Sequence, residues 1–296
     1  MKSNTLAAGP KVGLVLREPS LEMTGKDTPG LLKAASSIPK GTRVNVTYLG
    51  NEDLPTRVAA SKAVVENGFT VVPHISARRI ESERELEGFL AALQASASTE
   101  NVFAVAGDPS SPMGPYEDAL ALIESGALQR FGVKNVSVSG YPQGHPHISD
   151  DQLWLALERK LGALSEAGLG ATILTQFLFD ADAAVSWIEA VRARGFDTAI
   201  RIGVPGPAGV KRLLNYASRF GISSSAGIVQ KYGFSLTNLL GTAGPDHFIA
   251  DLASKLDPLV HGQVQLHFYT FGGLAATADW IRDFNRKSPA KNKENQ

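Results

Sequence analysis

Along the chain, short runs rich in β-branched and aromatic residues alternate with longer stretches in which apolar residues return every three or four positions. The short runs predict strands at 12–16 (VGLVL), 43–48 (RVNVTY), 69–74 (FTVVPH), 101–107 (NVFAVAG), 135–141 (NVSVSGY), 171–176 (ATILTQ), 199–204 (AIRIGV) and 264–269 (VQLHFY). The longer stretches predict amphipathic helices at 54–67, 82–96, 151–168, 180–195 and 208–221, the last three closing on glycine as helices commonly do.

Strands that alternate with helices pair in parallel through right-handed crossovers, and about eight such units close a barrel. The pattern therefore predicts an α/β fold, a (βα)8 TIM-type barrel in a single domain. An open doubly wound sheet is the competing arrangement, but no GxGxxG turn follows the first predicted strand. The irregular stretch 221–247 predicts extra helices before the last strand, and the barrel is expected to occupy 1–285 with a flexible tail at 286–296.

Composition narrows the classes. Of 296 residues 43% are hydrophobic, enough for a large core, and Lys plus Arg balances Asp plus Glu at 29 each. No net field favours nucleic acid or anionic lipid, so small ligands are expected. The absence of cysteine removes disulfides, thiolate metal sites and a cysteine nucleophile. No run approaches the roughly 20 apolar residues of a membrane span, and the first eighteen residues lack a signal-type apolar core, which gives a cytoplasmic expectation.

Active sites of such barrels lie at the C-terminal ends of the strands. There the sequence places Glu22, Thr47, Tyr48, His74, Asp108, Tyr141, His145, Gln176, His267 and Tyr269, a polar or titratable group at nearly every strand end. Taken singly, each has a plainer reading. Glu22 suits a solvated loop, Asp108 a turn that bonds its own backbone, His145 and His147 a Pro/Gly loop, and Gln176 a satisfied core amide. The two histidines lack companions for a metal site. No GxSxG elbow and no Walker loop is present.

The motifs SLE, VTY, AGDP, YPQGHP, TQFLFD and HFYT, in this order at successive strand ends, resemble the methylenetetrahydrofolate reductase family over roughly 12–284. The resemblance implies FAD across the strand ends and interconversion of 5,10-methylenetetrahydrofolate and 5-methyltetrahydrofolate by hydride transfer, with NAD(P)H as electron partner. It implies that Glu22 is the general acid and that Asp108 lies beside the flavin. Thr47, Tyr48, His74, Gly107, Tyr141, His145, Arg159 and Lys160 are implied to hold FAD, and Gln176, Glu22 and Tyr269 to hold folate. An oxidase running from 5-methyltetrahydrofolate in a demethylation pathway, or a folate barrel served by a partner flavoprotein, is the alternative. Homo-oligomers are common in the family.

The chain departs from the family where Ala106 replaces an arginine, Gln143 a glutamate, and Gly272-Gly273 an Asn-Arg pair expected near the folate glutamate tail. The stretch 220–234 does not match the family's folate and nicotinamide loop.

Overall fold

A computed structural model describes residues 13, 15–219 and 242–287. Eight parallel strands close a barrel: β1 (Ser20–Met23), β2 (Arg43–Val46), β3 (Thr70–Ser76), β4 (Asn101–Val105), β5 (Asn135–Gly140), β6 (Gly170–Phe177), β7 (Ala199–Pro205) and β10 (Val264–Tyr269). The order runs β1-β10-β7-β6-β5-β4-β3-β2, so chain order is broken only by the short antiparallel pair β8 (Ala208–Gly209) and β9 (Thr242–Ala243), which lies outside the barrel.

The helices are α1 (Thr28–Ala34), α2 (Leu54–Glu66), α3 (Glu83–Ser96), α4 (Ala119–Glu124), α5 (Ala127–Arg130), α6 (Asp150–Glu166), α7 (Ala181–Ala193), α8 (Val210–Arg219), α9 (Asp246–Lys255), α10 (Pro258–His261) and α11 (Leu274–Lys287). Several start on acceptor caps that take up orphan N–H groups: Asp53 for α2, Ser82 for α3, Ser149 for α6 and Asp180 for α7. Helices α9 and α10 precede the last strand, whereas most of the stretch 221–247 in which extra helices were expected, up to residue 241, and the tail beyond Lys287 lie outside the described residues.

The first predicted strand needs correction. Gly13 and Val15 are helical, and β1 begins at Ser20, so Glu22 is the third residue of the strand rather than a residue past its end. A five-residue apolar run cannot be told from a buried helical segment by periodicity.

Strand residues alternate between two environments. Leu21, Met23, Val44, Val46, Val71, Ile75, Val102, Val136, Ile173, Ile200, Ile202, Leu266 and Phe268 join the helices in the main apolar core. The opposite faces fill the barrel interior, where Val72, Phe103 and Leu174 form a small apolar plug with Val105 and Tyr269. Much of the rest of that interior is polar: Ser20, Asn45, Thr47, His74, Ser76, Ser137, Arg201, Gln265 and His267 are buried. A core that puts polar groups at alternate positions is the reason β1 carries so little apolar signal in its sequence.

Candidate functional site

Glu22 sits inside the mouth of the barrel with only 17% of its side chain exposed. Its Oε2 lies 3.6 Å from Nε2 of His267 and 4.0 Å from Nε2 of His74. Burial pushes the carboxyl up to about 7, opposed in part by His74. Burial also drives His74 down to about 4 and His267 down to about 3, the nearby Arg201 adding to the second shift. Near neutrality the two rings are therefore uncharged. With no fixed cation beside it, Glu22 retains a proton far above the usual carboxylate range.

The two rings are held from behind. Asn45 Nδ2 lies 3.2 Å from His74 Nε2, and the His74 ring meets Phe103 edge-on. Ser20 Oγ lies 2.9 Å from His267 Nδ1, because β1 and β10 pair with Ser20 opposite His267. Sequence reading placed His267 at a strand end but missed Ser20 and Asn45. The signal was available, since Ser20 and Glu22, like His267 and Tyr269, are two apart and share a face.

These shifts act on stability with opposite signs. Histidines depressed on folding bind protons in the unfolded chain first, so their contribution is lost as pH falls from about 6.5 towards 4. Glu22, raised on folding, works the other way: its penalty grows as pH rises from 4.5 to about 7. Two groups outweigh one, so urea denaturation should show stability falling on acidification from about 6.5 to 4.5, and Glu22→Gln should steepen that fall.

Across the mouth, Tyr269 donates to the Thr175 carbonyl at 3.0 Å, and burial beside Glu22 and Tyr141 pushes its phenol well up. Next to Thr175, a β-bulge interrupts the pairing of β6 with β7 between Leu174 and Phe177. The bulge carries Gln176, whose Oε1 accepts from the Phe177 N–H at 3.1 Å and whose NH2 group is uncommitted among the described residues. Gln176 is half-buried at the rim, and its amide is not consumed by the core.

Asp108 lies past the end of β4, 74% exposed, clasped by Arg79 through two bonds of 2.8 Å. Arg79 comes from the turn Ala77–Arg79 after β3 and was not singled out in the sequence. It passes so close to Gly50 that a Cβ there would strike the guanidinium. Gly107, with φ +96, takes a backbone conformation that L side chains avoid, and a Cβ would also strike Ser76 Oγ.

The remaining expected positions divide. Thr47 lies at the end of β2 with its hydroxyl buried and without a hydrogen-bond partner among the described residues, and Ser76 at the end of β3 is in the same condition. Two orphaned hydroxyls on neighbouring strand ends fit the polar edge of a planar ring. Tyr48, by contrast, faces out of the barrel: Arg57 stacks over its ring at 3.4 Å and Phe89 meets its edge. Period-two alternation sends Thr47 inward and its neighbour outward.

Tyr141 and His145 meet edge-on at the end of β5, where a pocket of about 170 Å³ is walled by Trp154 and Trp187. His145 is lowered by burial and by His147. Arg159 and Lys160 do not join this group. They lie in the middle of α6, roughly 14 Å along the axis from its rim end at ~1.5 Å per residue. Arg159 is exposed, while burial lowers Lys160 to about 8 against the pull of Asp118.

Taken together, the molecule is a (βα)8 barrel with a titratable site at the C-terminal mouth, built around a buried carboxylic acid between two neutral imidazoles. A profile of the family "Methylenetetrahydrofolate reductase" matches residues 24–279, and the chain belongs to that family. A stretch of 115 residues is 32% identical to methylenetetrahydrofolate reductase 2 of Saccharomyces cerevisiae (strain ATCC 204508 / S288c), covering 36% of this chain and 18% of the yeast protein. The matched stretch is thus less than a fifth of that curated relative. Among solved structures, an uncharacterized protein from Clostridium thermocellum that binds two copies of 5-methyl-5,6,7,8-tetrahydrofolic acid has the same fold. Its TM-score is 0.59 at 11% identity, over 93% of this chain and 98% of that one. No helix among the described residues is long and apolar enough to cross a membrane.

Proposed function

We propose that this chain interconverts 5,10-methylenetetrahydrofolate and 5-methyltetrahydrofolate by hydride transfer through FAD, with NAD(P)H as the electron partner. Family membership supports the reaction class, and the observation that carries the chemistry is the carboxyl of Glu22, poised near 7. FAD, once bound and reduced by the nicotinamide, would supply the hydride. Opening the five-membered ring of the methylene substrate requires a proton on the departing nitrogen, and Glu22 holds one near neutrality. Gln176 offers donor and acceptor to a pterin edge, and Thr47 and Ser76 offer hydroxyls to the flavin ring. Asp108 would bring negative charge to the same rim, tempered by Arg79.

One observation favours the alternative of a partner flavoprotein. Arg159 and Lys160 sit far down α6, and position 106 is an alanine, so among the described residues the cations expected for a diphosphate are not at the rim. Colour separates the two. A self-sufficient enzyme is expected to purify yellow or to take up FAD, and to bleach with NADH, NADPH or 5-methyltetrahydrofolate. Failure to bind FAD on reconstitution would defeat the flavin reading. Gln176→Ala should weaken folate binding roughly ten-fold, the size of one lost hydrogen bond. FAD affinity should hold in the same titration, and the reverse order would reject the assignment.

A further inference from the structure

We propose that Ser20 and His267 form a positioning pair that fixes which oxygen of Glu22 carries the acid proton. The inference rests on reading Glu22 as the acid. Ser20 and Glu22 are alternate residues of β1, and both face the interior beside β10. The Ser20 hydroxyl has two candidate acceptors: Nδ1 of His267 at 2.9 Å and the Leu266 carbonyl at 3.5 Å, the limit of a bond. Assigning the hydroxyl's hydrogen to the shorter contact, Nδ1, leaves the single proton of a neutral imidazole on Nε2; the other tautomer would have Nδ1–H donate to Ser20 Oγ. That Nε2 is buried, has no hydrogen-bond partner among the described residues, and faces Glu22 Oε2 at 3.6 Å.

The other ring is wired the opposite way. The Asn45 amide can only donate through Nδ2, so His74 Nε2 accepts, and it presents a filled lone-pair site 4.0 Å from the same Oε2. Oε2 thus faces one N–H, that of His267, at 3.6 Å, just beyond hydrogen-bond range. A carboxyl proton on Oε2 would oppose the N–H that faces it, so the arrangement places the proton on Oε1.

The charged and titratable surroundings are few. His74 of β3 and His267 and Tyr269 of β10 face Glu22 directly. Arg201 of β7 lies behind His267, with Arg43 of β2 nearby and the carbonyl of Glu18 bonded to Arg201 at 2.9 Å. Burial, with Arg201 adding to it, keeps His267 uncharged, so the ring faces Glu22 as a neutral N–H rather than as a counter-ion.

The test compares Ser20→Ala, His267→Leu and His267→Gln in the full-length protein. FAD content, folate KM, melting temperature and the pH profile of kcat for folate turnover are followed. Loss of a donor to the ionised carboxylate makes ionisation harder, so the limb on which activity falls with rising pH should move to higher pH in Ser20→Ala and His267→Leu. In those two variants kcat should drop roughly ten-fold, the size of one hydrogen bond, with FAD content and KM unchanged. His267→Gln restores an amide donor and should return the limb towards its original position. A limb that stays put, or moves to lower pH, overturns the pair. Should His267→Leu fail to fold, Ser20→Ala alone decides, since it removes one oxygen. Glu22→Gln separates the two levels of the argument. Normal turnover in that variant removes the acid itself, whereas a dead Glu22→Gln with an unmoved limb in Ser20→Ala removes only the pair.

Discussion

Glu22→Gln is expected to lower folate turnover by roughly 10²–10⁴-fold, the usual worth of a positioned general acid. Glutamine keeps the shape of the side chain and its hydrogen-bonding reach but holds no transferable proton at any accessible pH. The cavity around it would change little, because His267 and His74 are uncharged near neutrality and make no ion pair with the carboxylate to lose. The fall should therefore appear in kcat rather than in FAD content. Rapid mixing of the reduced, FAD-loaded variant with 5,10-methylenetetrahydrofolate is the direct measurement. A variant that oxidises at the parent rate would show that the proton comes from elsewhere.

The second large effect is structural. Gly203→Ala should destabilise the protein by about 1–3 kcal/mol, the scale of an overpacked core site. It should also impair folate binding. A Cβ at Gly203 would come within 2.5 Å of the Thr175 carbonyl, 2.8 Å of Cε2 of Tyr269 and 2.9 Å of the Gln176 carbonyl carbon. All three belong to the rim, and the Thr175 carbonyl is the acceptor of the Tyr269 hydroxyl. The Gly203 N–H in turn binds Thr175 Oγ1 at 2.8 Å, which anchors the bulge carrying Gln176. Two of the crowded atoms are backbone, so the strain cannot relax by turning a side chain. Gly162→Ala in α6, where a Cβ meets nothing within 4 Å, is the control. It should leave folate binding alone and raise stability by up to about 1 kcal/mol, as alanine does in a helix interior. Urea denaturation and folate KM together would check both; a neutral Gly203→Ala would show that β6 and β7 give way more easily than their hydrogen bonds suggest.

The residues of the site differ in how visible they are from sequence. Gln176 interrupts an apolar run, and an amide in that place signals a task other than packing. Tyr48 looked equally promising because it ends a strand, yet its parity sends it to Arg57 and Phe89. Strand ends locate the rim, while odd or even position decides inside from outside, and parity can be counted only once the strand is placed correctly. Arg79 escaped notice because nothing local marks it. Its partner Asp108 is 29 residues away, and the two meet only because β3 and β4 are neighbours.

The alternation of runs determined the barrel by itself, since each helix must return the chain to the same edge for parallel pairing, and that demand is written in hydrophobic periodicity. It also determined which strand ends carry polar groups. The tertiary structure decided where β1 lies, because its inward face is polar and the signal that marks other strands is missing there. It decided as well that Glu22 is buried between two imidazoles rather than solvated. That distinction depends on how much water reaches an oxygen and which ring nitrogens stand beside it, and those are set by strands brought together from opposite ends of the chain.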